Sequence, residues 1–273
     1  MKLRKFLSHE HPLRFAHRGS TILWPENTLT AFQGVVDHGG IYIETDLHAT
    51  KDGVIVLFHD DSLERTTDGR GLIEDWYWND LRRLDAAFYF KPEEGYPFRN
   101  RGVSIPCLEE VLKTFPRVML NLDLKQAGIE SLVADFITRH GYEERVLIAS
   151  FKDRRVRKCR SLLKNRTASS AGTWEAALSW AYSRIGKSYP LTADVLQVPV
   201  RRGGIAIVDK KFLKAAHSQG LQVHTWTIDE PGQMRRLIEL GVDGIITNRI
   251  DLLNRAVAVA ALNLQAKAFN RFK

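Results

Sequence analysis

Short apolar runs alternating with amphipathic stretches constrain this chain more than any other feature. Strand-like runs fall at residues 13–16, 41–47, 54–58, 118–124, 146–149, 195–198, 221–226 and 244–247. Helical patterns occupy 26–37, 108–115, 129–140, 153–163, 174–183, 209–219, 232–240 and the segment from Asp251 onward. Strand, helix and strand in succession mark a βαβ unit, and repeated units dictate a parallel sheet covered by helices. Gly141, Gly220 and Gly241 stand just past three of the helices, where a left-handed residue ends them. The expected fold is α/β, a TIM-type (β/α)8 barrel, for which 273 residues suffice. One domain over residues 1–273 is expected, with no linker and no fixed-period repeat.

The rhythm breaks at about 60–106, where aromatic and charged residues, Pro92 and Pro97 leave little periodicity beyond 76–84. A stretch that long inside a compact domain is functional or partly folded, so it reads as a small inserted segment.

Composition excludes little. With 44% hydrophobic and 26% charged residues the chain is ordinarily globular, and its net charge of +8 suits anionic partners in general. The charge gathers at Arg154-Arg155, Arg157-Lys158 and Arg160, at Arg201-Arg202 and at Lys210-Lys211. No helix-turn-helix, zinc-finger or RNA-recognition pattern accompanies these clusters, so they read as solvated basic surface, with attraction of phosphorylated substrates as the next use. Nucleic acid is not expected as a partner. Cys107 and Cys159 are the only cysteines, and their spacing suggests neither a zinc site nor a staple, so a reducing compartment is the default. Residues 1–12 are basic and lack the apolar core of a signal peptide, and no apolar run reaches the roughly 18 residues of a membrane span. A soluble, cytoplasmic protein is expected, of unspecified oligomeric state.

The chemistry concentrates before residue 61. In the run 41–47, Glu44 and Asp46 stand at i and i+2, so a strand points both carboxylates to one side, where two hard oxygen ligands suit Mg²⁺ or Ca²⁺. His59 follows an apolar run, at the strand end where α/β enzymes place catalytic groups. In 121–125, Asn121, Asp123 and Lys125 share one strand face. Asp123 and Lys125 by themselves could form a structural ion pair. His17 and His59 taken singly are ordinary hydrogen-bonded histidines; together they offer two proton-transfer groups for acid/base chemistry on an anion. Arg18 and Lys125 are candidates to hold an anion's oxygens, one as a planar fork and one as a point charge. Glu26 begins the first helical pattern as a favourable N-terminal acid, and Trp226 stands at a strand end where an aromatic is commonly core.

These residues resemble a known family. The matches are Phe15-Ala16-His17-Arg18-Gly19, Pro25-Glu26-Asn27-Thr28, Glu44-Thr45-Asp46 and the run 51–60 ending in His59-Asp60, extended by Leu63-Glu64-Arg65-Thr66-Thr67-Asp68-Gly69. Further matches are Ile105-Pro106-Cys107-Leu108-Glu109-Glu110, Asn121-Leu122-Asp123-Leu124-Lys125, His224-Thr225-Trp226-Thr227 and the run 241–248. In order and over about 14–253, they make the chain similar to the glycerophosphodiester phosphodiesterases. The resemblance implies metal-dependent hydrolysis of a small-molecule glycerophosphodiester to sn-glycerol 3-phosphate and an alcohol, within glycerol and lipid metabolism. It makes His17 and His59 the general acid/base couple, and Glu44, Asp46 and Asp123 the ligands of one divalent cation, Mg²⁺ or Ca²⁺. Arg18 and Lys125 become phosphate-binding groups, and Glu26 and Trp226 parts of the substrate pocket. At the position of Asp123 the family more often has glutamate, and at Asn248 an aspartate is frequent; asparagine there can cap equally well.

Two rival functions follow from the same residues. A lysophospholipase D or sphingomyelinase-D-like lipid phosphodiesterase would need an apolar groove, for which Trp76, Tyr77, Trp78, Phe88, Tyr89 and Phe90 of the insertion are available, if they do not simply pack it onto the barrel. In the family such an insertion covers the barrel mouth, so the substrate-shaping part is expected there. A non-catalytic anion- or membrane-binding barrel would use the basic surface or the tail 262–273, whose composition is equally that of a frayed terminus.

Overall fold

The computed structural model describes residues 4–10 and 12–270, with side chains to residue 263. In chain order it contains β1 (Leu13–His17), α1 (Leu29–Asp37), β2 (Tyr42–Ala49), β3 (Ile55–Leu57), the short α2 (Trp78–Leu81), α3 (Leu108–Thr114), β4 (Met119–Leu124) and α4 (Glu130–His140). It continues with β5 (Val146–Ala149), α5 (Asp153–Leu162), β6 (Ala168–Ser169), α6 (Thr173–Arg184), β7 (Val195–Pro199), β8 (Arg201–Arg202) and β9 (Ile205–Ala206). Last come α7 (Lys210–His217), β10 (Gln222–Trp226), α8 (Pro231–Leu240), β11 (Gly244–Thr247) and α9 (Ile250–Asn270). Parallel pairing runs β6-β5-β4-β2-β1-β11-β10-β7, and a parallel bridge between Ser170 and Val195 joins the two ends. Eight staves thus form a nearly closed barrel, as the alternation implies.

Two staves differ from the sequence expectation. The run 54–58 is not a barrel stave: β3 pairs antiparallel with β2, Leu47 opposite Leu57. Only residues 50–54 connect the two strands, closed by Gly53 N–H to Thr50 C=O at 2.9 Å with Gly53 at φ +77°, and a link that short permits a hairpin but no parallel crossover. The missing stave is β6, two small residues with no apolar pattern to reveal them. It is held from outside by Arg160, a member of the basic cluster that is buried instead of solvated. Arg160 donates to Ser169 Oγ at 2.9 Å, Ser170 C=O at 3.1 Å and Thr192 Oγ1 at 2.6 Å. Its neighbours also have partners: Arg157 pairs with Glu175 and Lys158 with Glu130.

Local chemistry explains the helix ends. Thr28 Oγ1 accepts from Ala31 N–H at 3.1 Å and starts α1, Asp209 caps α7 and Glu230 caps α8. Gly141 and Gly241, at φ 69° and 92°, end α4 and α8 as expected.

The barrel interior changes character along its axis. Phe15, Tyr42, Met119, Leu147, Ala168, Val195 and Ile246 fill its N-terminal half, sealed by Phe6 and Leu7. Phe15 and Tyr42 meet edge to face at 5.0 Å. Two residues further along several of the same strands, the inward positions turn polar: His17, Glu44, Asn121 and Gln197. The site therefore sits at the C-terminal mouth, above an apolar plug.

The insertion folds onto β3. Leu63, Ile73, Leu81, Ala86, Val103 and Ile105 bury one cluster with Val56 and Phe58, against which Trp76, Trp78, Phe90 and Phe98 pack. Among the described residues no helix is long and apolar enough to cross a membrane.

Candidate active site

Strand register assembles the acidic centre. His17 pairs with Glu44, Glu44 with Asn121, and Asp46 with Asp123, so neighbouring staves present these side chains at one level. Glu44, Asp46 and Asp123 are buried, with carboxylate oxygens within 4.8 Å of one another. Two cations answer them. Lys125 Nζ lies 2.6 Å from Asp123 Oδ2 and 3.0 Å from Asp46 Oδ1, while Arg18 Nε lies 3.2 Å from Asp46 Oδ2. Asn27, missed in the sequence, buttresses the centre: its Nδ2 donates to Asp46 Oδ2 at 3.0 Å, and its Oδ1 accepts from Thr45 Oγ1 at 2.7 Å.

The three carboxyls titrate differently. Burial, reinforced by Asp46 and Asp123, pushes the Glu44 carboxyl well above the ordinary range. Asp123 is also raised, by burial first, with Lys125 opposing. For Asp46 burial works the same way, but Lys125, Arg18 and the Asn27 amide outweigh it and hold the group below its ordinary value. Glu44 Oε2, Asp123 Oδ1 and Asn121 Oδ1 are buried acceptors without a hydrogen-bond partner. Unsatisfied buried oxygens are costly, and a cluster of them, all hard donors, fits a divalent cation.

The histidines flank this cluster with unlike partners. His17 Nδ1 is 2.7 Å from Asn248 Oδ1, and His17 Nε2 is 3.8 Å from Glu44 Oε2. The Asn248 amide is oriented by its Nδ2, which donates to Asp229 Oδ2 at 2.8 Å, so its oxygen faces the ring and Nδ1 must be the donor. Burial, with the Arg18 charge, lowers the affinity of His17 for a second proton. His59 Nδ1 instead meets a carboxylate, Asp60 Oδ1, at 2.6 Å. Arg65 ties that carboxylate down through Nε and reaches Glu26 with its two terminal nitrogens at 2.8 and 2.7 Å. Glu26 also accepts from Arg18 at 3.1 Å, which completes a chain Arg18–Glu26–Arg65–Asp60–His59. Burial would raise the Glu26 carboxyl, but the arginines prevail and lower it.

Two readings of residue placement change. Glu26 is not in the first turn of α1, which begins at Leu29; it is a link in the arginine chain and does not line the cavity. The insertion does not shape the cavity either. A volume of about 700 Å³ is lined by His17, Arg18, Glu44, Asp46, His59, Asp123, Lys125 and Trp226, but its further walls come from the β5–α5, β6–α6 and β7–α7 segments. Phe151, Trp180, Gln197, Arg201 and Arg202 stand there. Of the six insertion aromatics, Trp76, Trp78 and Phe90 pack their own cluster, Tyr77 and Tyr89 are exposed, and none lines the cavity. What the insertion offers the site is Arg65 and Asp60, behind His59. A strand-end aspartate beside the histidine was a visible signal; the partner of Arg65 was not. The tail 262–273 lies largely outside the described side chains.

Fold and site together define an α/β-barrel enzyme whose mouth offers oxygen ligands, two cations and two imidazoles to an anionic ester. Comparison with known proteins refines that class. The glycerophosphoryl diester phosphodiesterase family model matches residues 17–252. A probable glycerophosphodiester phosphodiesterase 2 of Mycobacterium tuberculosis is 38% identical over 263 residues, covering 94% of each chain. Among solved structures, the glycerophosphoryl diester phosphodiesterase domain of another M. tuberculosis protein superposes with a TM-score of 0.81 at 22% identity, covering 90% of this chain and 98% of that one. An Oleispira antarctica phosphodiesterase in complex with the product sn-glycerol-3-phosphate gives a TM-score of 0.73 at 24% identity, covering 90% and 97%. The chain belongs to the glycerophosphoryl diester phosphodiesterase family and is a phosphoric diester hydrolase.

Proposed function

We propose that the protein hydrolyses small glycerophosphodiesters to sn-glycerol 3-phosphate and an alcohol, working as one domain with Glu44, Asp46 and Asp123 around one divalent cation, Mg²⁺ or Ca²⁺. The observation that carries this reading is the cluster of three buried carboxylates, two of them with an unpartnered oxygen, flanked by Arg18 and Lys125. When all three carboxylates are ionised, the two cations leave one net negative charge, which a dication converts to one net positive charge, complementary to a diester monoanion. Such an ion supplies Lewis-acid polarisation of the phosphoryl group. Arg18 and Lys125 orient the non-bridging oxygens, and Trp226 walls the pocket beside the glycerol.

The unlike partners of the histidines assign the proton transfers. His17, with Nδ1–H spent on the neutral Asn248 amide, keeps an Nε2 lone pair toward the cavity and acts as the base. It takes the proton of the attacking oxygen, either water or the substrate's own glycerol hydroxyl, as the new P–O bond forms. His59, backed by the Asp60 anion that balances a ring charge, gives a proton to the departing alcohol oxygen as the old P–O bond breaks. With the internal hydroxyl as nucleophile a cyclic phosphate precedes the open product.

The test is release of glycerol 3-phosphate from glycerophosphocholine with Mg²⁺ or Ca²⁺. His17→Ala and His59→Ala are each expected to lower kcat by roughly 10²–10⁴-fold with an unchanged melting curve, and EDTA to abolish turnover. Full activity in EDTA, or in either alanine variant, would overturn the respective assignment.

A further inference from the structure

The cavity has two chemically opposite walls. All its carboxylates, Glu44, Asp46 and Asp123, stand on β2 and β4. In the barrel order β7 is four staves from β2 in either direction, so the β7 end faces the carboxylates across the mouth. Strands about 4.8 Å apart and tilted by about 36° close into a barrel roughly 15 Å wide, which long side chains from the far rim shorten.

Among the described residues no carboxylate lines that far side. The chain leaves β7 at Pro199 and turns at once into the β8–β9 hairpin, whose Arg201 and Arg202 line the cavity at its exposed rim. No carboxylate pairs with either: Arg201 donates to Gly204 C=O within the hairpin, and among the described residues Arg202 has no side-chain partner. Below them, Gln197 Nε2 and Trp180 Nε1 are buried donors without an acceptor, and both residues line the cavity. Every other cationic residue of the cavity, Arg18 and Lys125, is already paired with an acid.

We infer that the β8–β9 hairpin is a head-group subsite: Arg201 and Arg202, with Gln197 and Trp180 beneath them, select diesters whose departing alcohol carries a second anionic group. This rests on the phosphodiester seat proposed above. With the phosphoryl group at the carboxylate wall and the glycerol against Trp226, whose register partner is Pro199, the leaving alcohol is assigned to the adjoining hairpin, where two guanidinium forks and two neutral N–H donors stand. A phosphate or carboxylate on that alcohol accepts from all four. A trimethylammonium head group finds no anion there and meets repulsion from both arginines. The aromatic faces of the cavity are engaged by other groups: the Arg184 guanidinium lies 5.0 Å over the Trp180 ring, and Phe151 stands edge to face with Trp226 and under the Lys125 ammonium.

The experiment compares glycerophosphocholine, glycerophosphoserine and glycerophosphoinositol 4-phosphate as substrates at fixed ionic strength, reading glycerol 3-phosphate. In the wild type, kcat/KM for the inositol phosphate diester should exceed that for the choline diester by about tenfold or more, with serine between them, and added salt should narrow the gap. In Arg201→Gln/Arg202→Gln the ratio should fall toward one, mostly through KM, and Arg202→Glu should favour choline. Calorimetry on His17→Ala protein gives a reading independent of turnover: the inositol phosphate diester should bind it at least tenfold more tightly than the choline diester, and lose that advantage when both arginines are replaced. Equal wild-type rates, a preference for choline, or a ratio untouched by the arginine variants would overturn the subsite. Failure of every diester to release glycerol 3-phosphate, with tight anion binding retained, would instead overturn the phosphodiesterase reading.

Discussion

Asn248 decides which nitrogen of His17 is free, and it does so as a neutral group. An aspartate in its place would offer the ring a counter-ion and favour the doubly protonated form. Asn248→Asp combined with Asp229→Asn keeps a donor and acceptor between the two side chains while moving the charge to His17. The expected outcome is a rise of about one unit or more in the acid limb of the pH–kcat/KM profile. The sign follows from the native environment: burial and Arg18 lower the His17 pKa, so the base stays unprotonated to lower pH, and a carboxylate partner reverses this. Titration of initial rates between pH 4.5 and 8 on the order of half-unit steps checks it. At this scale strand parity made Glu44 with Asp46, and Asn121 with Asp123 and Lys125, legible as shared faces. Asn27, Arg65 and Asn248 were opaque as to role, because each acts through a partner far away in the chain.

Helix junctions carry the next scale. Asp209 both caps α7, accepting from Phe212 N–H at 2.8 Å, and binds Arg184 of α6 through two oxygens at 2.6 and 2.9 Å. The Arg184 hydrogen bonds, against a burial penalty and with help from the cap, hold the Asp209 carboxyl at about 2. A depressed folded-state value means the stabilisation is complete above the ordinary carboxylate range and is lost as pH falls toward 2. Asp209→Ala should cost about 1–2 kcal/mol at pH 7, the cap and a partly screened ion pair together, and much less at pH 2. Urea unfolding at both pH values measures the difference. At the α5–α6 junction, Asp153 of α5 accepts from Trp174 and Glu175 N–H of α6, and Gly172 lies so close that a Cβ would stand 2.6 Å from Asp153 Cα. Gly172→Ala must push the helices apart and should cost about 1–3 kcal/mol by overpacking. Since α6 carries Trp180, the same change should raise KM, a shift that steady-state rates will register. Most helices were readable from periodicity and stop signals. Glu26 was misplaced into α1 because an acid before a helical pattern looks the same whether it precedes the cap or follows it.

For the whole molecule, the buried carboxylates stabilise little while they repel one another, and a bound cation reverses that balance. Mg²⁺ or Ca²⁺ at one hundred times its Kd should stabilise the fold by about 2.7 kcal/mol, with a matching rise in Tm that EDTA removes. Calorimetric scans of wild type and Glu44→Gln distinguish this from a general salt effect, because the variant should show a much smaller rise. The net charge of +8 is distributed unevenly in its consequences. Arg160 is consumed in holding β6 and Arg157 in pairing Glu175, whereas Arg201 and Arg202 remain available at the barrel mouth.

The sequence by itself determined the parallel α/β barrel, because helix and strand periods are local properties of the chain, and it determined that Glu44 and Asp46 share a face, because strand parity is local too. Only the tertiary structure decided that residues 54–58 turn back as a hairpin and that Ala168–Ser169 close the ring, since a two-residue stave derives its identity from its neighbours and from Arg160. It alone decided that the cavity is walled by β7 and α6 instead of the insertion, and that Arg201 and Arg202 line the same cavity as the carboxylates. Positions on opposite sides of a barrel are related by strand order and closure, and no period within a single segment encodes that relation.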